Sequence, residues 1–307
     1  MTETRDVIIH YHIFKNAGST LATTLERNFG TRFVNFDSED YNRRLWPHEL
    51  VGFLQANAHV VAVSSHHLRP PAQPMPGTAI HEVLVLRNPI DRIRSMYDFY
   101  HRAMVNEDPL TVEAKRLSLP VFLEYVIEKW PNLIANAQVN LLANGGAKIP
   151  DREDAASAAR LLGSLALVGV VEEFDICAVA GEHSLAKIFP ALDLSYVREN
   201  VTQRRARRLD KRLRQFSAAC GEALYRKLVS VNELDQELVT LTAAESRRRL
   251  QAIPSPEGHL RDFRKRVFRR EVAYRLERGR ERVTRAWSKA AGVILSPRPT
   301  KAGSELR

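Results

Sequence analysis

A chain of 307 residues, 44% of them apolar, is long enough to bury one substantial core, with room left for an appendage. A formal charge of +10 and a pI near 9.8 favour anionic partners, without choosing among nucleotide, nucleic acid, sulfated glycan and lipid surface. The two cysteines, Cys177 and Cys220, form no CxxC pair, which argues against a disulfide framework or a cysteine zinc site; both read as buried small hydrophobes.

Taken in chain order, the N-terminal "MTETRDVIIHYHIF" lacks the basic and long apolar regions of a signal peptide. No run approaches the ~18 apolar residues of a membrane span, so a cytoplasmic protein is expected. "VIIHYHIF" (7–14) reads as a strand, followed by a tight loop and a helix that closes on Gly30. "HVVAVSSH" (59–66) is a second strand with a polar tip, and the Pro-rich "RPPAQPMPG" leads to a third, "AIHEVLVLR" (79–87). Asn88-Pro89 ends that strand and opens a helix with Ile93, Met96, Tyr97 and Tyr100 on one face. The strands are nearly continuous apolar runs, as in a mostly parallel sheet covered by helices on both faces.

From 119 to about 165 the pattern is helical, interrupted at "NGGAKIPDRED"; "LALVGVVEEF" is a further strand and "HSLAKIFP" a short helix. Residues 202–228 read as an amphipathic helix with Leu209, Leu213, Phe216 and Cys220 on one side. After a Pro/Ser break near residue 254, a basic helix is expected over about 257–290, with Phe263, Val267 and Tyr274 on its buried or docked face. The expected organisation is an α/β domain over 1–232, a basic helical extension over 233–296, and a tail, 297–307, too poor in apolar residues to order.

In an open α/β sheet, residues just past the strand C-termini share one rim, where ligands bind. Three stretches fall there. "HIFKNAGSTL" (12–21) has its lysine before the glycine, unlike GxxxxGK[ST]. It offers the Lys15 charge, a flexible Gly18, the Ser19 and Thr20 hydroxyls and free helix-start amides, a set that binds a phosphoryl or sulfuryl group. An ordinary strand–helix turn with a solvent-facing lysine has the same spacing. Arg87 and Ser95 offer a guanidinium fork and a hydroxyl for a second phosphate, with Arg92 bracing the loop and Arg94 solvated. "SSHHLR" supplies His66 and His67. Two anion sites on adjacent strand ends fit a nucleotide that carries phosphates at both ends.

At these residues the chain resembles sulfotransferases that use 3′-phosphoadenosine 5′-phosphosulfate (PAPS). It is most similar to the carbohydrate-type branch, which includes heparan-sulfate 2-O-sulfotransferases and bacterial enzymes. "HIFKNAGSTL" resembles their 5′-phosphosulfate loop and "VLRNPIDRIRSMY" their 3′-phosphate element. Weaker echoes are "NAQVNLLANG", "LVGVVEEFD" and "LSYVRENVT", in which Asn200 and Thr202 match a late Asn-x-Ser/Thr step; the resemblance spans roughly residues 7–230. It implies a P-loop-like three-layer α/β sandwich with a helical C-terminal segment. It also implies that Lys15 holds the 5′-phosphosulfate and its bridging oxygen, and that the backbone of Asn16, Ala17, Gly18, Ser19 and Thr20 cradles the 5′-phosphate. Arg87 and Ser95 would hold the 3′-phosphate, with Asn200 and Thr202 beside the nucleotide; the adenine contacts stay unassigned.

Sulfuryl transfer is an in-line displacement that needs position, charge stabilisation and a base. Lys15 would offset the charge growing on the leaving oxygen. The base is expected at His66 or His67, with His67 preferred because it lies further into the loop; the 2-O-sulfotransferase branch has His-x-His there, and the intervening residue is missing here. His10 and His12 share a strand face and are expected to pack beneath the cleft, while Glu172 and Glu173 are weaker base or substrate-binding candidates. There is no HExxH and no compact carboxylate–histidine set, so no metal is expected to be required. The acceptor expected is a hydroxyl of a saccharide or glycolipid, and an anionic one would also account for the net charge.

Two other classes compete. A P-loop-type kinase or phosphotransferase would need a lysine after Gly18 and an aspartate closing the second or third strand. A nucleic-acid-binding protein is suggested by charge alone, without RNP aromatics or zinc-finger spacing. The basic C-terminal helices are expected either to close over the acceptor or to rest on an anionic membrane face.

Overall fold

The computed structural model of the protein describes residues 4–40, 43–104, 108–197 and 208–295. Its strands are β1 (Arg5–Tyr11), β2 (Phe33–Asn35), β3 (Ala62–Ser65), β4 (Thr78–Leu86) and β5 (Leu167–Val170). The helices up to the last strand are α1 (Gly18–Phe29), α2 (Pro47–Ala56), α3 (Pro89–Arg102), α4 (Pro109–Arg116), α5 (Leu119–Lys129), α6 (Pro131–Ile134), α7 (Ala137–Asn144) and α8 (Arg152–Ser164). After β5 come α9 (Phe174–Leu185), α10 (Leu209–Cys220), α11 (Glu222–Ser230), α12 (Glu233–Gln251) and α13 (Pro256–Leu295).

The strands form one five-stranded sheet in the order β2-β3-β1-β4-β5, and every pair is parallel. Side chains alternate across it. Val7, Ile9, Tyr11, Leu84, Leu86, Val168 and Val170 face a layer built from α2, α7, α8 and α12. Ile8, Val83, Val85 and Leu167 face α1, α9 and the start of α13. The result is a three-layer α/β sandwich, as expected from the apolar strand runs. A third core joins α3, α4, α5, α10 and α11 around Ile93, Phe122, Leu123 and Phe216. No described helix is long and apolar enough to cross a membrane.

Four readings change. Strand β2 has no signal in the sequence because three residues at a sheet edge cannot display an alternation. The single helix expected over 202–228 is two, broken where Gly221 takes φ +82°, and residues 202–207 lie outside those described. Tyr274 is 40% exposed, whereas Phe263 and Val267 are buried.

The fourth concerns the break at 232/233, which does not separate two packing units. Leu234, Leu238, Val239 and Ala243 of α12 lie in the core beneath the sheet. Moreover, α12 and α7 cap each other. The Asp235 carboxylate accepts from the amides of Gln138 and Val139, and Asn136 Oδ1 accepts from the Asp235 amide at 3.0 Å. Each helix start thus borrows its cap from the other, satisfying amides that neither caps with its own side chain. Helix α12 therefore belongs to the α/β body.

Candidate functional site

From β1 the chain runs outward to β2, while from β4 it runs the other way to β5. The C-terminal ends of β1 and β4 therefore flank the topological switch point, where open α/β sheets bind ligands. Three loops meet at this rim, as the sequence leads one to expect. The His12 amide donates to Ser65 O (2.9 Å), and Arg87 Nη1 donates to Lys15 O (2.8 Å).

The loop after β1 is held in an unusual conformation. Lys15 and Ala17 both have left-handed backbone, φ 67° and 58°. Two such residues within three positions cost free energy, and the buried Asn16 between them supplies the restraint. Its Nδ2 donates to Val85 O (3.1 Å) and Gln138 Oε1 (2.8 Å). Asn16 is thus a brace for the cradle rather than an open contact, although its Oδ1 is buried without a hydrogen-bond partner. No side chain caps the start of α1, so its first amides point out of the helix end as donors. Ser19 is half-buried and Thr20 buried. Lys15 Nζ lies 4.7 Å from the Phe99 ring centre and 5.6 Å from that of Phe14, on the side where α3 passes.

Gly18 has a reason other than flexibility. A Cβ at this position would fall 1.8 Å from His12 Cδ2. The His12 ring therefore lies directly on the helix start. His66 lies tilted against His12 with ring centres 3.7 Å apart, and His10 stacks on the His12 ring at 5.4 Å, its Nδ1 2.9 Å from Ser64 Oγ. Burial holds His10 down to about 3, helped by the charge of His66. Burial, followed by His10, His66 and Lys15, takes His12 down to about 2. His66 is also lowered, by desolvation of its ring where it lies against His12, which outweighs the opposing pull of Asp37. All three rings favour the neutral form.

His67, the preferred base in the sequence, is placed differently. It is buried, and its Nδ1 accepts the Ser38 amide at 2.8 Å, so that nitrogen is occupied. His66 is the exposed member of the pair and the one against His12. Both lie in the bend just past β3, which turns His67 inward to the Ser38 amide. Asp37, which the sequence reading passed over, positions both: its Oδ1 accepts from Ser65 Oγ (3.0 Å) and the His66 amide (2.6 Å) and lies 3.5 Å from His67 Nδ1. Its only signal in the sequence was an acidic residue just after the short β2.

On the β4 side, Asn88 caps α3 by accepting from the Ile90 and Asp91 amides, with Pro89 at the first helical position. Arg87, Asp91 and Ser95 then recur at four-residue spacing on one face. Arg87 forks onto Asp91 Oδ2 through Nε (2.9 Å) and Nη2 (2.6 Å). Arg212 of α10 reaches the same carboxylate, with Nε 2.8 Å from Oδ1. Asp91 thus orients two guanidiniums side by side. Arg212 was hidden in a run of basic residues. Ser95 is half-buried on this face. Arg92 braces the neighbouring segment through Leu133 O (2.6 Å), and Arg94 pairs with Asp98.

Gln138 joins the two halves. Its side chain accepts from the Arg87 amide and donates to the Arg87 carbonyl, both at 2.9 Å, while also meeting Asn16 and Asp235. It lies in "NAQVNLLANG", whose role is thereby architectural. Glu172 Oε1 accepts from the Asn88 amide (3.1 Å), its Oε2 is buried without a partner, and burial raises its pKa. Glu173 instead pairs with Arg247 of α12. Cys177 and Cys220 are both buried, with Cys177 pushed up to about 12 by burial. Asn200 and Thr202 lie outside the described residues. Among the described residues no group of three or more His, Cys, Asp or Glu is placed to hold a metal ion.

Fold and rim together define a doubly wound, all-parallel α/β protein that gathers Lys15, Arg87, Arg212 and three histidines near its switch point. No family model matches the chain. It is 30% identical over 247 residues to an uncharacterized protein of Archaeoglobus fulgidus, an alignment covering 76% of this chain and 94% of the archaeal one. The chain belongs to the same family as that protein.

Proposed function

We propose that the protein is a sulfotransferase that transfers the sulfuryl group of PAPS to a hydroxyl of an acceptor. The observation that carries this reading is the pair of cationic corners on one rim, linked through Arg87: the uncapped α1 start with Lys15, and the Arg87–Asp91–Arg212 corner beside Ser95. Two such corners suit a nucleotide with phosphate at both ends. The α1 amides and Lys15 would receive the 5′-phosphosulfate; Arg87, Arg212 and Ser95 would receive the 3′-phosphate.

In this reading the acceptor oxygen attacks sulfur, the sulfur–oxygen bond to the nucleotide breaks, and its electron pair leaves on the phosphate to give adenosine 3′,5′-bisphosphate. The acceptor proton passes to a histidine. We assign that role to His66 rather than His67, because His66 is exposed and held neutral, whereas His67 Nδ1 is already engaged with Ser38. No divalent metal is needed, since the leaving group is a phosphate met by fixed cations.

An anionic saccharide or glycolipid is the acceptor class we favour. Arg69 donates from Nη1 to His66 O (2.7 Å), and burial together with the nearby Arg44 charge lowers it to about 10. Among the described residues neither arginine has a carboxylate partner, so an acceptor anion beside the reacting hydroxyl would relieve that repulsion.

Retention on immobilised adenosine 3′,5′-bisphosphate, with release by that nucleotide and not by ATP, is the expected result. Incubation with PAPS and a panel of acceptors should add the mass of one sulfate. Lack of retention, or equal release by ATP, would reject the reading.

A further inference from the structure

Helix α13 docks by one face only. Phe263 and Val267 enter the core, and Arg266 and Arg270 reach Glu182, Asp193 and Ser195. At about 100° per residue, Phe268, Val272 and Leu276 fall on the opposite side, and they are 67%, 38% and 63% exposed. These three form a ridge of apolar side chains standing in solvent. Exposed cationic residues border it: Arg261, Lys265, Arg269 and Arg275. Within residues 256–295 there are twelve Lys or Arg against five Asp or Glu, so the helix carries +7 of the chain's +10. In the sequence the apolar spacing continues through Val283, Trp287 and Ile294.

We propose that α13 is a membrane-surface helix that seats its outer face on an anionic lipid bilayer. A bare apolar stripe by itself could meet any apolar partner. The charge around it selects the occupant, because an amphipathic helix with long basic side chains beside its apolar ridge matches an anionic headgroup layer over acyl chains. Arginine and lysine stems lie along the ridge while their charged ends reach the headgroups. The docked face is already filled by the core, so the outer face does not close over the α/β body. This inference does not depend on the sulfuryl-transfer reading, and its test uses no nucleotide.

The test is co-sedimentation of the full chain with vesicles of phosphatidylcholine, with and without phosphatidylglycerol. Partitioning at least about tenfold stronger on the anionic vesicles is expected, largely lost at about 1 M salt where the screening length falls to roughly 3 Å. Phe268→Ser with Leu276→Ser should lower partitioning about tenfold or more while leaving circular dichroism and the thermal midpoint unchanged, both sites being exposed. Absence of binding, equal binding to zwitterionic vesicles, or a double variant that binds like wild type would overturn the proposal. A dimer in solution that the double variant dissociates would overturn it in favour of a second copy of the chain.

Discussion

His12 fills the space that a side chain at residue 18 would need: a Cβ on Gly18 would sit 1.8 Å from the His12 ring. The glycine that opens α1 is therefore a steric partner of a histidine, and that histidine supports His66. Gly18→Ala should destabilise the protein by about 1–3 kcal/mol through overpacking. The double variant with His12→Ala should recover much of that loss, because the clash is gone. Denaturant midpoints of the four proteins in this cycle measure the coupling; additive effects would show that the two residues do not touch.

The neutral histidine stack makes stability pH-dependent. His10 and His12 are held at about 3 and about 2 in the folded chain, below the usual 6.5. The unfolded chain then binds more protons between those values and about 6.5, so stability is complete above pH 6.5 and declines as the pH falls below it. The limiting slope is about 1.4 kcal/mol per pH unit for each histidine. Urea midpoints at pH 7.5 and 5.5 should differ, and His10→Gln should flatten the dependence. A slope that His10→Gln leaves unchanged would mean the ring does not titrate on unfolding.

His66→Ala should reduce sulfuryl transfer about 10²–10⁴-fold while leaving affinity for adenosine 3′,5′-bisphosphate nearly constant. His67→Ala should act mainly on stability, since it removes the acceptor of the Ser38 amide. With the His66 ring lowered by desolvation against His12, the acid limb of the rate profile should lie below pH 6.5 and disappear in the variant. If His67→Ala abolishes turnover in a folded protein while His66→Ala does not, the assignment is reversed.

Arg87→Ala and Arg212→Ala should each weaken binding of adenosine 3′,5′-bisphosphate, with losses of about 2–5 kcal/mol where the removed charge meets a buried phosphate. Ser95→Ala should act in the same direction with a smaller effect. Isothermal titration on folded variants decides this. Unchanged affinity for Arg212→Ala would reduce that residue to a partner of Asp91.

Asp235→Ala should cost about 1–3 kcal/mol for each of the buried Gln138 and Val139 amides it leaves unpaired. A chain ending at residue 232 should fail to fold, because it also uncovers the core that Leu234, Leu238 and Val239 close. A cooperative melt of that shortened chain would restore the boundary at 232/233.

Much of this protein was legible in local sequence. Apolar runs within strands 4–9 residues long announced the parallel sheet, Asn88-Pro89 announced the start of α3, and the strand runs before Lys15 and Arg87 placed both at strand ends. Lys15 and Arg87 follow strands β1 and β4, while Ser95 lies about two turns into α3; all these features depend on period, capping and backbone chemistry, which act over a few residues. What only the tertiary structure decided involves contacts across many residues. It turned His67 inward and left His66 outward in the bend past β3, set His12 on Gly18, and brought Arg212 to Asp91 from 121 positions away. It also made α12 part of the body by letting Asn136 and Asp235, 99 residues apart, cap each other's helices. A side chain's orientation at a strand end and the partner of a buried carboxylate are determined by packing of distant segments, and no local pattern encodes them.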